Sequence, residues 1–227
     1  MNIIVIIPAY NEEAAIGEVI AEIPKEWVRE IVVADNRSTD QTAARAREAG
    51  ATVVYEPLPA YGRACLRGIT YIKSLLVPPD IVVFVDGDHS DYPEQLPELV
   101  KPILEEGYDM VIGSRALGKR ERGSMTPQQV FGNWLATLLM RLLYGVHYTD
   151  LGPFRAIKWD KLLALDMQDT TYGWTVEMQL KAAKQRMKTT EVPVHYRKRI
   201  GFSKISGTAK GVVLAGYKII TTIFKYW

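Results

Sequence analysis

The sequence predicts an α/β fold, a mostly parallel sheet with helices on both faces, followed by a C-terminal amphipathic helix. Three observations predict it. Short runs of β-branched residues recur in the N-terminal half, helical patterning follows them, and polar residues gather where the runs end. Apolar strands alternating with helices call for a parallel sheet covered on both faces. Ligands of such sheets bind beyond the carboxyl ends of the strands, so polar residues there carry more weight than polar residues elsewhere.

The first two strands are Ile3–Ile7 and Ile31–Ala34. Each leads into a helix, Glu12–Glu22 ending before Pro24 and Thr39–Ala49 ending at Gly50. A third strand, Thr52–Tyr55, precedes a helix over Gly62–Leu76, and a fourth, Ile81–Val85, stops at Asp86-Gly87-Asp88. Met110–Gly113 makes another strand, and the basic, glycine-containing Leu117–Ser124 reads as a mobile loop. Thr126-Pro127 starts a helix with proline in its first turn. An apolar stripe runs from Val130 to Leu143 and is closed by Gly145. A last strand, Thr190–His195, precedes a basic loop, Arg197–Lys204. Taken as a helix, Ala209–Trp227 puts Lys210, Lys218, Thr221, Thr222 and Lys225 on one side. Val212, Gly216, Ile219, Ile220, Ile223 and Trp227 then fall on the other. There is no repeat, low-complexity tract or linker, so one domain is expected over 1–227, with parts at 1–115, 116–208 and 209–227.

Composition narrows the function. The 227 residues are 48% hydrophobic and 24% charged, enough for a sizeable core. Twenty-eight Lys+Arg against 26 Asp+Glu leave +2, too balanced for a dedicated nucleic-acid binder. A single cysteine, Cys65, excludes an intramolecular disulfide or a Cys-rich zinc module. The N-terminus does not read as a signal peptide, and no run of about 18 apolar residues occurs. A soluble or peripheral intracellular protein is expected. The absence of G-x-G-x-x-G after a strand speaks against a dinucleotide-dependent oxidoreductase.

The strongest chemical signal is VVFVDGDHSD, in which a buried strand delivers Asp86 and Asp88 one residue apart. Alternate side chains of an extended segment point the same way, so both carboxylates can reach one hard cation, Mg²⁺ or Mn²⁺, together with diphosphate oxygens. The plainer alternative is an acidic turn capping the next helix. Tyr10 and Glu12 lie just beyond the first strand and Asp35 at the end of the second, an aromatic face and two acceptors suited to a nucleoside. Singly, each is explained as well by turn chemistry, with Ser38, Thr39 and Asp40 capping the following helix. Together they place acids at three strand ends. Gly62 and Arg63 open a helix whose N-terminus could favour an anion or simply face solvent. Lys119, Arg120, Arg122, Arg155 and Arg197 are further basic residues, and Asp150 and Glu177 further carboxylates. The three histidines lack metal-like spacing.

IIPAYNE, ADNRSTD, AYGRACLRG, DGD, IGSR and a late G-F-S-K together resemble family-2 glycosyltransferases of the GT-A fold, whose core is a Rossmann-like sheet. The branch most resembled is the polyprenyl-phosphate, dolichol-phosphate mannose synthase-like one. The resemblance implies that Pro8, Tyr10, Glu12, Asp35, Asp86, Gly87 and Asp88 hold a nucleotide diphosphate sugar. Asp86 and Asp88 would carry the metal. It places Ser114, Arg115 and Arg122 around an acceptor phosphate, and Arg199 and Lys204 over the donor diphosphate, where arginine forks match phosphate oxygens. Two departures stand out. Asp35-Asn36-Arg37-Ser38 replaces the family's D-D-G-S, and Ser90-Asp91-Tyr92-Pro93 replaces a glutamine and double proline, leaving the nucleobase and sugar open.

The implied reaction is inverting transfer of a sugar to an acceptor, a polyprenyl phosphate at the cytoplasmic membrane face. A phosphate monoester is already anionic near neutral pH and needs no base. A sugar hydroxyl would need one, and Asp150 would be the first suspect. The rivals are that hydroxyl-directed transferase, a sugar-phosphate nucleotidyltransferase, and a binding module that has lost catalysis. The nucleotidyltransferase lacks its glycine-rich loop after the first strand, and the binding module is at odds with an intact acidic pair. The apolar face of the C-terminal helix either packs on the domain core or lies in the lipid interface, where a lipid-linked acceptor makes peripheral membrane contact useful.

Overall fold

The computed structural model describes residues 1–201 and 209–227, the side chains of 209 and 210 excepted. One seven-stranded sheet runs through it, with strand order β3-β2-β1-β4-β6-β5-β7. Its strands are β1 (Ile3–Ala9), β2 (Glu30–Asp35), β3 (Thr52–Tyr55), β4 (Ile81–Phe84), β5 (Met110–Ser114), β6 (Arg155–Lys158) and β7 (Thr189–Pro193). The helices are α1 (Ile16–Glu22), α2 (Thr42–Glu48), α3 (Tyr61–Lys73), α4 (Leu96–Glu105), α5 (Pro127–Tyr144), α6 (Trp159–Leu165), α7 (Trp174–Lys184) and α8 (Ala209–Lys225). β1 pairs in parallel with β2 and β4, Ile6 lying opposite both Val32 and Phe84. Only β6 runs antiparallel, between β4 and β5.

The pleat sorts β1 into two cores. Ile4 and Ile6 join Ile69 and Ile72 of α3, Met140 of α5, Val176 of α7 and Ile223 of α8. Ile3, Val5 and Ile7 join Ile16 and Ile20 of α1, Ala46 of α2 and Leu99 of α4. Every residue of β1 is buried, as a strand covered on both faces requires. β1, β2 and β4 consequently end along one edge, at Ala9, Asp35 and Phe84, and the acidic residues of the three strand ends share that edge.

Several expectations are corrected. The antiparallel β6 went unforeseen. It contains Arg155, grouped in the sequence with phosphate-facing cations, which is fully buried. Its guanidinium donates to the carbonyls of Gly152 and Thr175, and burial pushes its pKa down to about 10. Segment 117–124 is laced down rather than free. Lys119 O accepts from Tyr196 N at 3.0 Å, and Glu121 N donates to Tyr196 O at 2.8 Å. A Cβ at Gly118 would come 1.8 Å from Val194 O, so only glycine lets the two backbones pass. α2 starts later than its caps suggested, at Thr42, whose amide donates to Asp40 at 2.9 Å. α5 begins as expected, with a capping box between Thr126 and Gln129, and Gly145 closes it at φ 68°.

The C-terminal helix is amphipathic, but it is rotated from the expected division. Lys218, on the polar side, pairs with Asp169 at 2.8 Å, and Thr222 is buried beside Ile223. Tyr226 Oη donates to Glu177 Oε1 at 2.6 Å, and Lys184 Nζ to Tyr226 O at 2.9 Å. Buried carboxylates on α7 and the turn before it draw the polar side inward. Val213, Leu214, Tyr217 and Phe224 are left exposed. Among the described residues no helix is long and apolar enough to cross a membrane.

Candidate active site

Beyond β4 the chain turns through Asp86-Gly87-Asp88. A Cβ at Gly87 would lie 3.3 Å from Ile7 Cγ2, so the glycine faces the core and the flanking aspartates share the other side. Gly87 is thus part of the packing that aims the pair. Asp86 Oδ1 accepts from Tyr61 Oη at 3.0 Å. Burial, and then the charge of Asp88, push the Asp86 carboxyl up to about 7. Asp88 Oδ1 accepts from Ser90 N at 2.9 Å, and Asp88 Oδ2 pairs with Arg199 Nη1 at 2.7 Å. A third acid, Asp91, lies buried close by. Like charges crowded at a strand end favour a cation, and hard oxygen donors suit Mg²⁺ or Mn²⁺.

The other strand ends flank this cluster. Pro8 is buried within β1, while Tyr10 stands exposed just past it. Glu12 is partly exposed, and its amide donates to Thr42 Oγ1 at 2.8 Å. Asp35 is buried, and its Oδ1 accepts from Ser38 N at 3.2 Å. Asn36, where the family has aspartate, works on the chain itself. Its Nδ2 donates to Leu58 O at 2.7 Å, and its Oδ1 accepts from Ala60 N at 2.8 Å, holding the β3–α3 loop. The start of α3 carries no open anion site. A Cβ at Gly62 would meet Asp169 O at 2.2 Å, and Arg63 N donates to Thr170 O.

On the opposite side Arg115 follows β5. Its Nε and Nη2 donate to Asp150 Oδ2 and Oδ1 at 2.8 and 2.7 Å, and its backbone N–H to Oδ2 at 2.7 Å. Burial opposes ionisation of Asp150, but Arg115 outweighs it and holds the carboxyl below its usual value. An acid so engaged is a poor proton acceptor, which corrects the expectation of Asp150 as a base. Arg115 also lies over the Tyr196 ring, 5.0 Å from its centroid. Ser114 is fully buried, its hydroxyl 2.7 Å from Thr149 Oγ1 and accepting from Leu117 N. It shapes the turn and presents nothing to an acceptor. Arg122 is exposed in the following turn. Lys204 lies outside the described residues.

Arg197 braces this region. It pairs with Glu22, donates to His89 O at 2.8 Å and lies over the Tyr92 ring. Ile200 N donates to Asp88 O at 3.0 Å, so the basic loop is stitched onto the acidic turn. Glu177, a sequence candidate, is elsewhere: it accepts from Gln168 N, Asp169 N and Tyr226 Oη, beneath α8. Tyr61, Ser90, Asp91 and Tyr196 belong to the site and were not singled out. For Asp91 the signal was present, as the third acid of DGDHSD.

A sheet of this topology with an acidic pair beyond its central strand defines a GT-A glycosyltransferase. Residues 4–164 match the model of Glycosyl transferase family 2, and the chain belongs to that family. It is 32% identical to the dolichyl-phosphate hexose transferase of Haloferax volcanii, over 94% of this chain and 90% of the relative. It is 29% identical to the undecaprenyl-phosphate mannosyltransferase of Micrococcus luteus, over 93% and 90%. Glucosyl-3-phosphoglycerate synthase of Mycobacterium tuberculosis, crystallised with Mn²⁺, UDP and phosphoglyceric acid, superposes with a TM-score of 0.78 at 25% identity, covering 99% of this chain and 78% of that one.

Proposed function

We propose that this glycosyltransferase moves a hexose, with inversion, from a UDP- or GDP-linked donor to the phosphate of a polyprenyl acceptor at a membrane surface. The observation that carries the reading is the juxtaposition of a crowded acidic turn with two arginines fixed by carboxylates, Arg199 on Asp88 and Arg115 on Asp150. The names of the two lipid-phosphate relatives support the acceptor class.

Asp86 and Asp88 are the residues that would hold Mg²⁺ or Mn²⁺. When bound, the metal offsets charge developing on the departing diphosphate. Pro8, Tyr10, Glu12 and Asp35 line the nucleoside side. Arg199 exchanges part of its contact with Asp88 for diphosphate oxygens. Asp150 fixes the plane of Arg115, leaving guanidinium donors for the acceptor phosphate. That phosphate attacks the anomeric carbon without giving up a proton, which agrees with Asp150 being closed by an arginine. Catalysis is then positioning and electrostatics.

The test is transfer from labelled UDP-glucose and GDP-mannose, with Mn²⁺, to a short polyprenyl phosphate and to soluble sugars. Labelled product extractable into organic solvent is expected with the lipid phosphate alone. Product only with soluble hydroxyl acceptors would overturn the reading.

A further inference from the structure

Asp91 has no part in the reaction as described, and its surroundings are costly. It is 1% exposed, and among the described residues neither carboxylate oxygen has a hydrogen-bond partner. The residue is held in place. Its backbone bridges to Tyr196, whose ring lies under Arg115, and the neighbouring Ser90 O accepts from Arg197 N at 2.9 Å. Burial, and then the charges of Asp86 and Asp88, outweigh the pull of Arg115 and hold its carboxyl well above the usual carboxylate range. The Asp86 backbone N–H also favours ionisation without meeting hydrogen-bond geometry. Asp91 therefore sits between the acidic pair and Arg115.

Buried carboxylates are retained when something satisfies them. Between a diphosphate at Asp86 and Asp88 and a phosphate near Arg115 lies the sugar being transferred, and a sugar is rich in hydroxyl donors. We propose that Asp91 accepts hydrogen bonds from hydroxyls of the donor's sugar ring and so selects a neutral hexose. The inference rests on the nucleotide-sugar reading. It adds that a uronic acid, whose carboxylate would face Asp86 and Asp88, is rejected.

The experiment uses the full chain and Asp91→Leu, which roughly keeps the volume and removes both hydrogen-bonding oxygens. Affinities for UDP, GDP, UDP-glucose and GDP-mannose are measured with Mn²⁺ by calorimetry, and thermal stability without ligand. The diphosphates are expected to bind both proteins within about twofold. The preferred nucleotide sugar should bind the variant roughly 2- to 13-fold more weakly, the range for a hydrogen bond between uncharged groups. The variant's melting temperature should rise, because a buried polar group without a partner is gone. On the wild type, one deoxy-sugar analogue should lose as much, and on Asp91→Leu that penalty should vanish. Equal weakening of diphosphate and nucleotide sugar would place Asp91 on the metal and overturn the inference. So would an unchanged preference for the sugar. Wild-type protein that binds neither diphosphate overturns the nucleotide-sugar reading itself.

Discussion

Arg115 and Asp150 show what a residue's neighbours do to its role. Each was visible as a charge near a strand end, but their pairing joins positions 35 residues apart and had no local signal. A paired, buried arginine cannot be tested by simple truncation, because stranding Asp150 costs about 3–5 kcal/mol. Arg115→Lys keeps the charge and loses the fork. It should fold and raise the acceptor KM roughly 10- to 150-fold with little change for the nucleotide sugar, read from steady-state kinetics. The pair also sets acid sensitivity. Asp150 is held below its ordinary value, so its stabilising contribution is complete above the unfolded carboxyl's value of 3.8 and is lost as pH falls through the lower folded value. Urea titrations from pH 6 to 3 should show wild-type stability falling below about pH 4, with a shallower fall in Asp150→Asn. Asp86 and Asp88 were legible outright, because their spacing alone puts both on one side of a strand end. Asp88→Asn should abolish transfer and Mn²⁺-dependent nucleotide binding while leaving the melting temperature within a few degrees, since loss of the Arg199 pair is offset by relief of the charge crowding on Asp86. Activity retained by this variant in EDTA would refute a metal-dependent mechanism.

At the scale of elements, apolar runs disclosed what is buried on both faces and little else. β1, β2 and β4 read directly because all or nearly all of their residues are buried and β-branched or apolar. β6 was hidden because it is four residues long and opens on Arg155, a charge that only its carbonyl partners make tolerable inside. α4 was missed behind three prolines, Pro93, Pro97 and Pro102, although Leu96, Leu99, Val100 and Ile103 keep helical spacing. Composition also misled at 117–124, where glycine and basic residues mark a close backbone crossing rather than freedom. That crossing is testable. Gly118→Ala drives a methyl into the Val194 carbonyl, and overpacking of this kind costs about 1–3 kcal/mol. The melting temperature should fall by several degrees. Transfer should fall with it, since the displaced segment after β7 leads to Tyr196 and Arg199.

At the scale of the whole molecule, the proposed lipid-linked acceptor needs a membrane-facing surface on the protein. The sequence of α8 separates its lysines and threonines from Ile219, Ile220 and Ile223, but alone it could not show that Asp169 and Glu177 would turn Lys218 and Tyr226 inward. The consequence is an outward face of Val213, Leu214, Tyr217 and Phe224. α5 packs beside α8, Tyr144 Oη donating to Ile223 O, and exposes Val130, Phe131 and Trp134. At its N-terminal end, Val130 and Trp134 line a groove with Arg120 and Asp150, the carboxylate that pairs with Arg115. Exposed aromatic and aliphatic groups beside cations suit the boundary between headgroups and acyl chains. The full chain should therefore co-sediment with anionic liposomes, and less so as salt rises. Deleting α8 would confound the test, because it uncovers Glu177 and Asp169. Leu214→Asp with Tyr217→Asp leaves those latches in place and adds charge only on the outer face. This variant should keep its melting temperature and its affinity for UDP or GDP with Mn²⁺, yet lose most of its sedimentation. Its rate on a lipid phosphate in vesicles should fall far more than its rate on a detergent-dispersed one. Equal sedimentation of wild type and variant, or none by either, would refute membrane docking by this face.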